Sequence, residues 1–479
     1  MSKYLVFIIY LIFISLGLPD SLLGSGWPIM QKDFDVDSSY AGYVSMTILG
    51  MSIISSLYTA HITSKLKEQW VVIISIALTC IGLVLFSFSQ QYWNLFLYSI
   101  PYGLGAGTID ASMNNYVAIH YSSRVMNFLH CFYGVGSMIS PNIMALALKY
   151  KTWKEGYRWT AYIQIGILIV CFATLPLWKN DKKDEEKDEE KKNEEEKNKE
   201  EDKKEIEKSN DQILEMKVNK KDIRLNPIKS KDNQIETKIE LEKKEESVTE
   251  RKNENKEEKE ENLKVVGILE AIKIRGVVFS CLAFFTYCSG EGICFLWTSS
   301  FFDGTKEGLS DEAIAALSTT VFGGLMLGRV FSGLVSEKLG DKKLIRIGLI
   351  VECIGIICIG IPIKTYILAI IGFSLALIGM GPIFPSNQHL SPIFFGKEAS
   401  ATVTGMQMAS AYFASTIIPF IFGLIQSKTS MWALPIFVGI FAILNIICIE
   451  IEFKLCDNNT NDIKEKENTE KNNENKEVQ

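Results

Sequence analysis

The sequence predicts an all-α integral membrane protein whose twelve transmembrane helices form two six-helix bundles. Long apolar runs fill residues 4–178 and 277–451. Many of them reach the roughly 20 residues that a helix needs to cross a hydrocarbon core about 30 Å thick. Backbone groups in lipid must be bonded within the protein, so helices are the expected structure. The stretch between the runs is rich in Lys, Glu, Asp and Asn and cannot bury apolar surface, so we expect a disordered central linker.

The apolar runs divide into two sets of six predicted helices. The first six are predicted near residues 4–29, 40–62, 70–88, 93–118, 126–148 and 158–178. The second six are predicted near residues 274–299, 312–337, 344–363, 366–388, 398–422 and 430–451. The chain then divides into an N-terminal bundle (1–178), a charged cytoplasmic linker (179–264), a C-terminal bundle (265–455) and a disordered cytoplasmic tail (456–479). This is the plan of transporters built from two similar halves, whose substrate sites lie near the midplane between the halves.

The charges of the short loops predict the orientation in the membrane. The loops after the second, fourth, eighth and tenth helices carry lysine or arginine, whereas those after the first and seventh are mainly acidic. Because positive loops stay in the cytoplasm, both termini and the linker are expected there, in a multi-pass protein of the plasma membrane. The turn between the fifth and sixth helices disagrees, because it lies on the outer side and carries Lys149, Lys151, Lys154 and Arg158.

Composition excludes several classes of function. The net charge of −6 argues against a nucleic-acid partner. The ten cysteines form neither a CxxC motif nor a Cys/His metal spacing, so we expect no metal site and no disulfides. The sequence contains no nucleophile–base set and no phosphate loop, so we expect no enzyme activity and no cofactor.

Ionisable residues inside predicted spans are the candidate functional groups. Each costs roughly 2.5–3.5 kcal/mol to insert, and such residues usually face a cavity. Four carboxylates and one guanidinium meet this description: Asp20, Asp110, Glu291, Glu352 and Arg329. Glu352 has no polar neighbours on its helix face, so we expect it to be peripheral.

Asp20 follows Pro19 in a glycine-rich stretch, where the first helix is expected to bend and expose polar backbone to a cavity. A carboxylate that only caps the helix break is the alternative. Asp110 shares a helix face with Asn114, four residues later. Gly103 and Gly107 precede it at a spacing that lets a neighbouring helix pack closely. A buried packing network is the alternative for Asp110.

The fifth and seventh helices carry the next candidates. Asn127 and His130 are three residues apart and share a face, and an ordinary satisfied histidine near the cytoplasmic end is the alternative. Tyr287 and Glu291 also share a face, in a glycine-rich stretch where the helix is expected to break. A salt bridge between Glu291 and Arg329 is the alternative reading.

Two further groups of polar residues belong to the tenth and eleventh helices. Gln407 and Tyr412 are additional candidates for lining the site. Asn387, Gln388 and His389 cluster at the predicted end of the tenth helix and are expected at the edge of a loop.

The motifs together resemble the major facilitator superfamily, in particular its sugar-transporting branch related to bacterial fucose permeases. The stretch from Gly333 to Lys343 is similar to the superfamily's loop signature GxxxD/E-R/K-x-G-x-R/K-R/K. The resemblance implies a gating loop formed by Gly333, Glu337, Lys338, Gly340 and Lys342. The loop at residues 60–67 keeps Lys65 of the same signature and lacks its glycines and acid.

Further patches in both bundles resemble the fucose-permease branch. They are the stretch through Gly24, Trp27 and Pro28, and residues 105–115, 126–136, 287–297 and 405–419. The resemblance implies a sugar importer coupled to protons, in which Asp110 occupies the position of an acid used for binding and coupling, and Asp20 serves as a second acid. His130 stands where fucose permeases carry glutamine, so fucose itself is not implied.

These observations predict a secondary active transporter that imports a sugar or similar small polar solute by proton-coupled alternating access. Asp20 and Asp110 would be the proton and substrate groups, and Asn114, Asn127, His130, Tyr287, Glu291 and Gln407 would surround the solute. The expected partners are the solute and the lipid bilayer, the coupling ion is H+, and the protein is expected to be a monomer. The alternatives are an exporter of drugs or other amphipathic compounds on the same fold and a non-transporting membrane sensor.

Overall fold

The computed structural model of the chain describes residues 3–37, 40–178, 266–308 and 311–477. Fifteen α-helices lie entirely within these ranges. Those of the N-terminal half are α1 (Lys3–Asp20), α2 (Leu22–Asp33), α3 (Tyr40–Lys65), α4 (Glu68–Ser87), α5 (Tyr92–His120), α6 (Ser123–Tyr150) and α7 (Trp153–Ala173). Those of the C-terminal half are α8 (Ile268–Ala271), α9 (Val277–Thr305), α10 (Asp311–Leu339), α11 (Asp341–Gly360), α12 (Ile367–Met380), α13 (Ile383–Phe395), α14 (Lys397–Gln426) and α15 (Ala433–Glu477).

The predicted all-α fold with twelve spans is confirmed. The first span consists of α1 and α2, the tenth of α12 and α13, and every other predicted span is a single helix. In the described part of the chain, nine of these spans are long and apolar enough to cross a membrane. The remaining three are α5, α10 and α11, which are 29, 29 and 20 residues long. The linker predicted at 179–264 lies outside the described residues.

The bend expected at Pro19 is present and has a specific support. The helix is interrupted at Ser21, so Asp20 is the last residue of α1. Pro19 has no N–H to donate to the carbonyl of Ser15 four residues earlier. The side-chain amide of Gln164 on α7 donates to this carbonyl instead, at 2.6 Å. The sixth span therefore stabilises the break in the first.

The tenth span is longer than predicted. It runs to Phe395, seven residues past its predicted end, with an interruption at Gly381 and Pro382. A Cβ on Gly381 would lie 2.6 Å from the backbone of Gly328, so glycine lets α10 approach closely. Proline then lacks the N–H that would continue the hydrogen-bond ladder. Because the helix continues, His389 lies inside α13 and not at the edge of a loop.

The break predicted in the seventh span is wrong. Helix α9 is continuous from Val277 to Thr305 and includes both glycines beside Glu291. Gly292 instead allows close packing, because a Cβ there would lie 3.0 Å from the ring of Pro419 on α14. Glycine reduces helix propensity by only about 1 kcal/mol, and tertiary packing outweighs that cost.

The end of the chain also differs from the expectation. Helix α15 continues to Glu477, where composition predicts a disordered tail over 456–479. The tail alternates Glu and Lys, and pairs of opposite charge three or four residues apart favour helix. A helix already started by the packed span then extends without paying for a new nucleus.

Glycines set the distance between helices in the N-terminal bundle. A Cβ on Gly103 would lie 2.3 Å from the carbonyl oxygen of Ile48, and one on Gly107 would lie 2.3 Å from that of Ser52. The backbones of α5 and α3 are therefore in direct contact, as the spacing of these glycines predicts. The same contact fixes the position of Asp110, one turn further along α5.

Polar contacts tie together the loops at the end of the bundles away from the chain termini, which we call the far side. The indole of Trp153 donates to Asp33 at 2.7 Å. The Lys306 ammonium donates to the carbonyl of Ile363 at 2.7 Å and lies 4.7 Å from the centre of the Trp432 ring. Burial lowers the pKa of Lys306. The contacts join loops within each bundle.

The basic residues that disagree with the charge rule also have local partners on this side. Arg158 pairs with Glu155 at 2.7 Å and lies 5.3 Å from the ring of Phe88. Lys149 and Lys154 each lie over the aromatic ring of a neighbouring residue. These local partners stabilise the positive charge at the turn between α6 and α7.

Substituting Gly107 with alanine is expected to destabilise the protein, because the new methyl group meets the carbonyl of Ser52. Overpacking of this kind costs about 1–3 kcal/mol. Gly50 on α3 has open space around its Cβ position, so Gly50→Ala is the matched control. Thermal unfolding of the purified variants in detergent measures both. An equal melting temperature for the two variants would contradict the close contact.

Candidate functional site

A cavity of about 480 Å³ lies between the two bundles. It extends toward the far side, where Leu83, Phe86 and Tyr157 contribute to its wall. Its charged lining residues are three carboxylates and one guanidinium: Asp20, Asp110, Glu291 and Arg329. Its size is within the range of small-molecule sites, about 300–1,000 Å³.

Asp20 faces the cavity from the break in the first span. Tyr102 on α5 donates to one carboxylate oxygen at 2.8 Å, and Tyr133 on α6 donates to the other at 2.6 Å. The side chain therefore does more than cap a helix end, because it connects three helices. Each carboxylate oxygen keeps a lone pair that can accept a hydrogen bond from a solute.

Asp110 begins a chain of hydrogen bonds that runs across α5 and α6. The amide of Asn114 donates to Asp110 at 2.8 Å. Because this nitrogen is the donor, the Asn114 oxygen is an acceptor, and it lies 3.0 Å from Nε2 of His130. His130 therefore carries a proton on Nε2. Its ring is held edge-on by Phe13 and Phe384, with centroids 5.7 and 5.0 Å away.

Glu291 and Arg329 form a buried ion pair on the opposite wall. The guanidinium is 3.5 Å from the Glu291 carboxylate, which also accepts a hydrogen bond from Tyr287 at 3.0 Å. Arg329 additionally donates to the backbone carbonyl of His130 at 3.2 Å. Its side chain is only 8% exposed. Glu291 therefore lines the cavity and also forms the salt bridge with Arg329 that the sequence offered as the alternative.

Two of these contacts join the bundles at the floor of the cavity. Tyr412 on α14 donates to Asp110 on α5 at 2.5 Å. Arg329 on α10 donates to the His130 carbonyl on α6. The floor is therefore polar and shared by both halves of the protein.

The structure does not bring Asn127 and Gln407 to the cavity. Asn127 donates back to the Ser123 carbonyl at 2.9 Å, because its position is one turn closer to the start of α6 than His130. Gln407 bonds to Ser280 and Ser391 inside the C-terminal bundle, at 2.7 and 2.8 Å. Helix spacing identifies residues that share a face, yet it does not determine which face meets the other bundle.

Four of the remaining candidates line the cavity: Asp20, Asp110, His130 and Glu291. Their direct partners are Asn114 and Tyr287. Glu352 is buried beside the backbone of Gly379, away from the cavity, as its apolar surroundings predict. Sequence reasoning missed Tyr102 and Tyr133. Tyr102 is on the same helix as Asp110, and Tyr133 is on the same helix as His130. Nothing in the sequence around either tyrosine predicts a contact with Asp20.

The bundles close against each other at the end opposite the cavity, which we call the terminal side because α1 begins there. A Cβ on Gly405 of α14 would lie 2.2 Å from the carbonyl oxygen of Ser56 on α3. The turn between α5 and α6 inserts into the C-terminal bundle, where Arg124 pairs with Glu337 at 2.9 Å. Ser400 also bonds to Asn115.

The gating-loop residues occupy this closed end. Gly333 approaches the ring of Phe128, and Glu337 binds Arg124 and the hydroxyl of Ser122, so both contact the other bundle. Gly340 has a φ of 76° at the start of α11, a conformation that favours glycine. Lys342 pairs with Asp457 within its own bundle, and Lys338 is exposed.

The arrangement defines a membrane transporter built from two bundles around a central cavity. The sequence profile of the Major Facilitator Superfamily matches residues 9–310 and 279–475. These ranges include most of the chain, which therefore belongs to the Major Facilitator Superfamily, as its motifs suggest. Among curated protein sequences, none matches the chain.

Solved transporters share this fold at low sequence identity. The symporter FucP in its outward conformation is 11% identical, with a TM-score of 0.65 over 93% of this chain and 98% of its own. A variant of the E. coli fucose:proton symporter FucP is 11% identical, with a TM-score of 0.63 over 94% and 98%. The proton:xylose symporter XylE bound to 6-bromo-6-deoxy-D-glucose is 14% identical, with a TM-score of 0.65 over 95% and 97%. At these identities the likeness shows a common fold.

Removing one member of the buried ion pair is expected to cost more than removing both. Arg329→Met leaves Glu291 without its cation, and breaking a buried pair in this way costs about 3–5 kcal/mol. The double variant Arg329→Met, Glu291→Gln removes both charges and should recover part of the loss. Melting temperatures of the single and double variants measure the difference. A double variant less stable than the single one would contradict a direct interaction.

Proposed function

We propose that this protein imports a sugar or similar small polar solute together with protons, by alternating access. One observation carries the proposal: the floor of the cavity holds a partly buried carboxylate of one bundle, Asp110, which is hydrogen-bonded to a tyrosine of the other, Tyr412. A change of proton or solute at this carboxylate acts directly on a contact between the halves. In this way binding can alter the relative position of the bundles.

The lining of the cavity supports a hydroxylated solute. The carboxylates of Asp20, Asp110 and Glu291 accept hydrogen bonds, and sugar hydroxyls can donate them. The rings of Phe13 and Phe384 provide apolar surface for the faces of a sugar ring. The two transporters described above are symporters of sugars with protons, by their names, and share the fold.

The partners of the two acids support proton coupling. The hydrogen bonds to Asp20 come from Tyr102 and Tyr133, and those to Asp110 come from Tyr412 and Asn114. All four donors are neutral, so a negative charge here has no counter-ion among them. A bare carboxylate is costly in a dry interior, and a bound proton removes that cost when the cavity closes.

The open and closed ends support an orientation. The terminal side carries the basic gating loop and is closed, whereas the cavity extends toward the far side. With positive loops in the cytoplasm, this conformation faces outward across the plasma membrane, with both termini inside. The protein acts on its solute by moving it and has no enzymatic role in this proposal.

Asp110→Asn is expected to abolish proton movement linked to uptake. The amide cannot take up a proton, so solute uptake should lose its response to a pH gradient while binding persists. Proteoliposomes with a pH-sensitive dye inside, tested with a panel of sugars, measure both quantities. Asp303→Asn, at an exposed acid at the end of α9, is the matched control and should behave as wild type. Wild-type sugar uptake without proton movement would overturn the coupling.

Gly405→Ala is expected to shift the protein toward the conformation that is open on the terminal side. The added methyl group meets the Ser56 carbonyl in the closed state and is free of it once the bundles separate there. Distances between spectroscopic labels placed at the exposed residues Lys67 and Lys343 report this opening. Gly166→Ala, which has open space around its Cβ position, is the control. Unchanged distances in Gly405→Ala would argue against a gate at this contact.

Export of amphipathic compounds is the second candidate, favoured by the apolar residues of the cavity wall toward the far side. They include Leu23, Ile48, Leu49, Leu83 and Phe86. An exporter would confer resistance to amphipathic cations when expressed in a drug-sensitive host, and it would not accumulate sugars in proteoliposomes.

A further inference from the structure

His389 bridges the two bundles on the terminal side. It lies on α13 of the C-terminal bundle, and its Nδ1 is 2.8 Å from the carboxylate of Asp341 at the start of α11. Its Nε2 is 3.0 Å from the backbone carbonyl of Tyr121, which directly follows α5 of the N-terminal bundle. The other carboxylate oxygen of Asp341 accepts a hydrogen bond from Ser123, also of the N-terminal bundle. The imidazole is 14% exposed and the carboxylate 8%.

Both ring nitrogens therefore face hydrogen-bond acceptors. A neutral imidazole has one N–H and can satisfy only one of them, whereas imidazolium has two. The carbonyl of Tyr121 cannot donate, so Nε2 must carry a proton for that bond to form. A second proton must then lie between Nδ1 of His389 and the carboxylate of Asp341, bound either to the nitrogen or to the oxygen. For both bonds to form, the closed contact requires one proton more than a neutral histidine beside an ionised aspartate.

This proton is tied to the closed state of the terminal side. Tyr121 and Ser123 belong to the turn that inserts between α10, α11 and α13, and they leave when the bundles separate there. After separation His389 loses its second acceptor and Asp341 loses the Ser123 hydroxyl. The carbonyl that requires a proton on Nε2 is then gone, and a neutral histidine can donate from Nδ1 to Asp341 alone.

The other charged groups described on the terminal side either have partners of their own or are exposed. Arg124 and Glu337 pair with each other at 2.9 Å, and Lys342 pairs with Asp457. His120 on α5 contacts the carbonyl of Tyr116, and Glu452 on α15 accepts from Asn387 on α13. The exposed acids and bases at the start of α14 are Lys397 and Glu398. Among these described groups, the His389–Asp341 pair is the one whose proton number depends on a backbone contact with the opposite bundle.

We propose that His389 and Asp341 form a proton-dependent latch that closes the terminal side when it is protonated. The proposal rests on the alternating access proposed above and does not depend on which solute is carried. Lowering the pH on the terminal side strengthens the latch and favours the conformation with the cavity open to the far side. In an importer of protons this side is the cytoplasm, so accumulated protons slow further uptake.

The latch is tested by measuring the closed and open populations at different pH values in the absence of any sugar. Labels attached through non-natural amino acids at Lys67 and Lys343 leave the native cysteines in place. In the wild type, the ratio of closed to open protein should rise by roughly tenfold between pH 8 and pH 5.5, the size expected for one charge-assisted hydrogen bond. In His389→Gln this dependence should disappear, and the closed population should be lower at acidic pH.

Asp341→Asn provides an independent second variant. An asparagine amide can donate to Nδ1 of a neutral histidine, which then uses Nε2–H for the Tyr121 carbonyl. The extra proton is no longer needed, so this variant should stay closed at pH 8 and show no pH dependence. A merely structural loss of the contact would instead leave it open at every pH.

The controls separate this latch from other titrating groups and from the proposed transport. His120→Gln and Glu452→Gln alter the neighbouring titratable residues and should retain the wild-type response. The proposal is overturned if the wild type shows no pH response, or if His389→Gln or Asp341→Asn titrates like the wild type. Gly405→Ala serves as the reference for opening. If it also shows no change in distance, alternating access at this end fails, whereas absence of sugar uptake leaves the latch test unaffected.

Discussion

A carboxylate between apolar helices costs several kcal/mol unless the protein supplies hydrogen bonds, a counter-charge or a proton. Three carboxylates meet this requirement around the cavity in different ways. Glu291 has the guanidinium of Arg329, whereas Asp20 and Asp110 have only neutral donors. Because those donors come from α5, α6 and α14, satisfying the acids also fixes how the helices are arranged. The same hydrogen bonds therefore stabilise the acids of the cavity and determine how the bundles pack.

Close backbone contacts between helices make this packing possible. Gly103 and Gly107 bring α5 against α3, and Gly405 brings α14 against α3 across the bundle interface. In lipid, helices gain little from hydrophobic burial against each other, so small residues and direct packing determine association. Substitutions at these glycines differ in consequence according to the interface. The first two would disturb a bundle, and the third would disturb the closed state.

The sequence predicts the larger features because they follow from length and hydropathy. The twelve spans, the bend at Pro19 and the placement of Asp20, Asp110 and Glu291 at a cavity depend on local composition and on the cost of charge in lipid. The missed features depend on tertiary neighbours. Tyr102 and Tyr133 are significant only because α1 passes beside them. Asn127 and Gln407 form their hydrogen bonds within their own bundles. Helix α9 stays continuous through Gly290 and Gly292 because α14 packs against it.

The position of the Asp110–Tyr412 hydrogen bond along α5 gives the molecule a fulcrum. Beyond it, toward the terminal side, the same helix contacts Ser400 through Asn115 and ends at His120, just before Tyr121, whose carbonyl meets His389. The eleven residues from Asp110 to His120 form a helical arm about 15 Å long. A slight tilt of α5 at the cavity floor therefore becomes a larger displacement at the closed end.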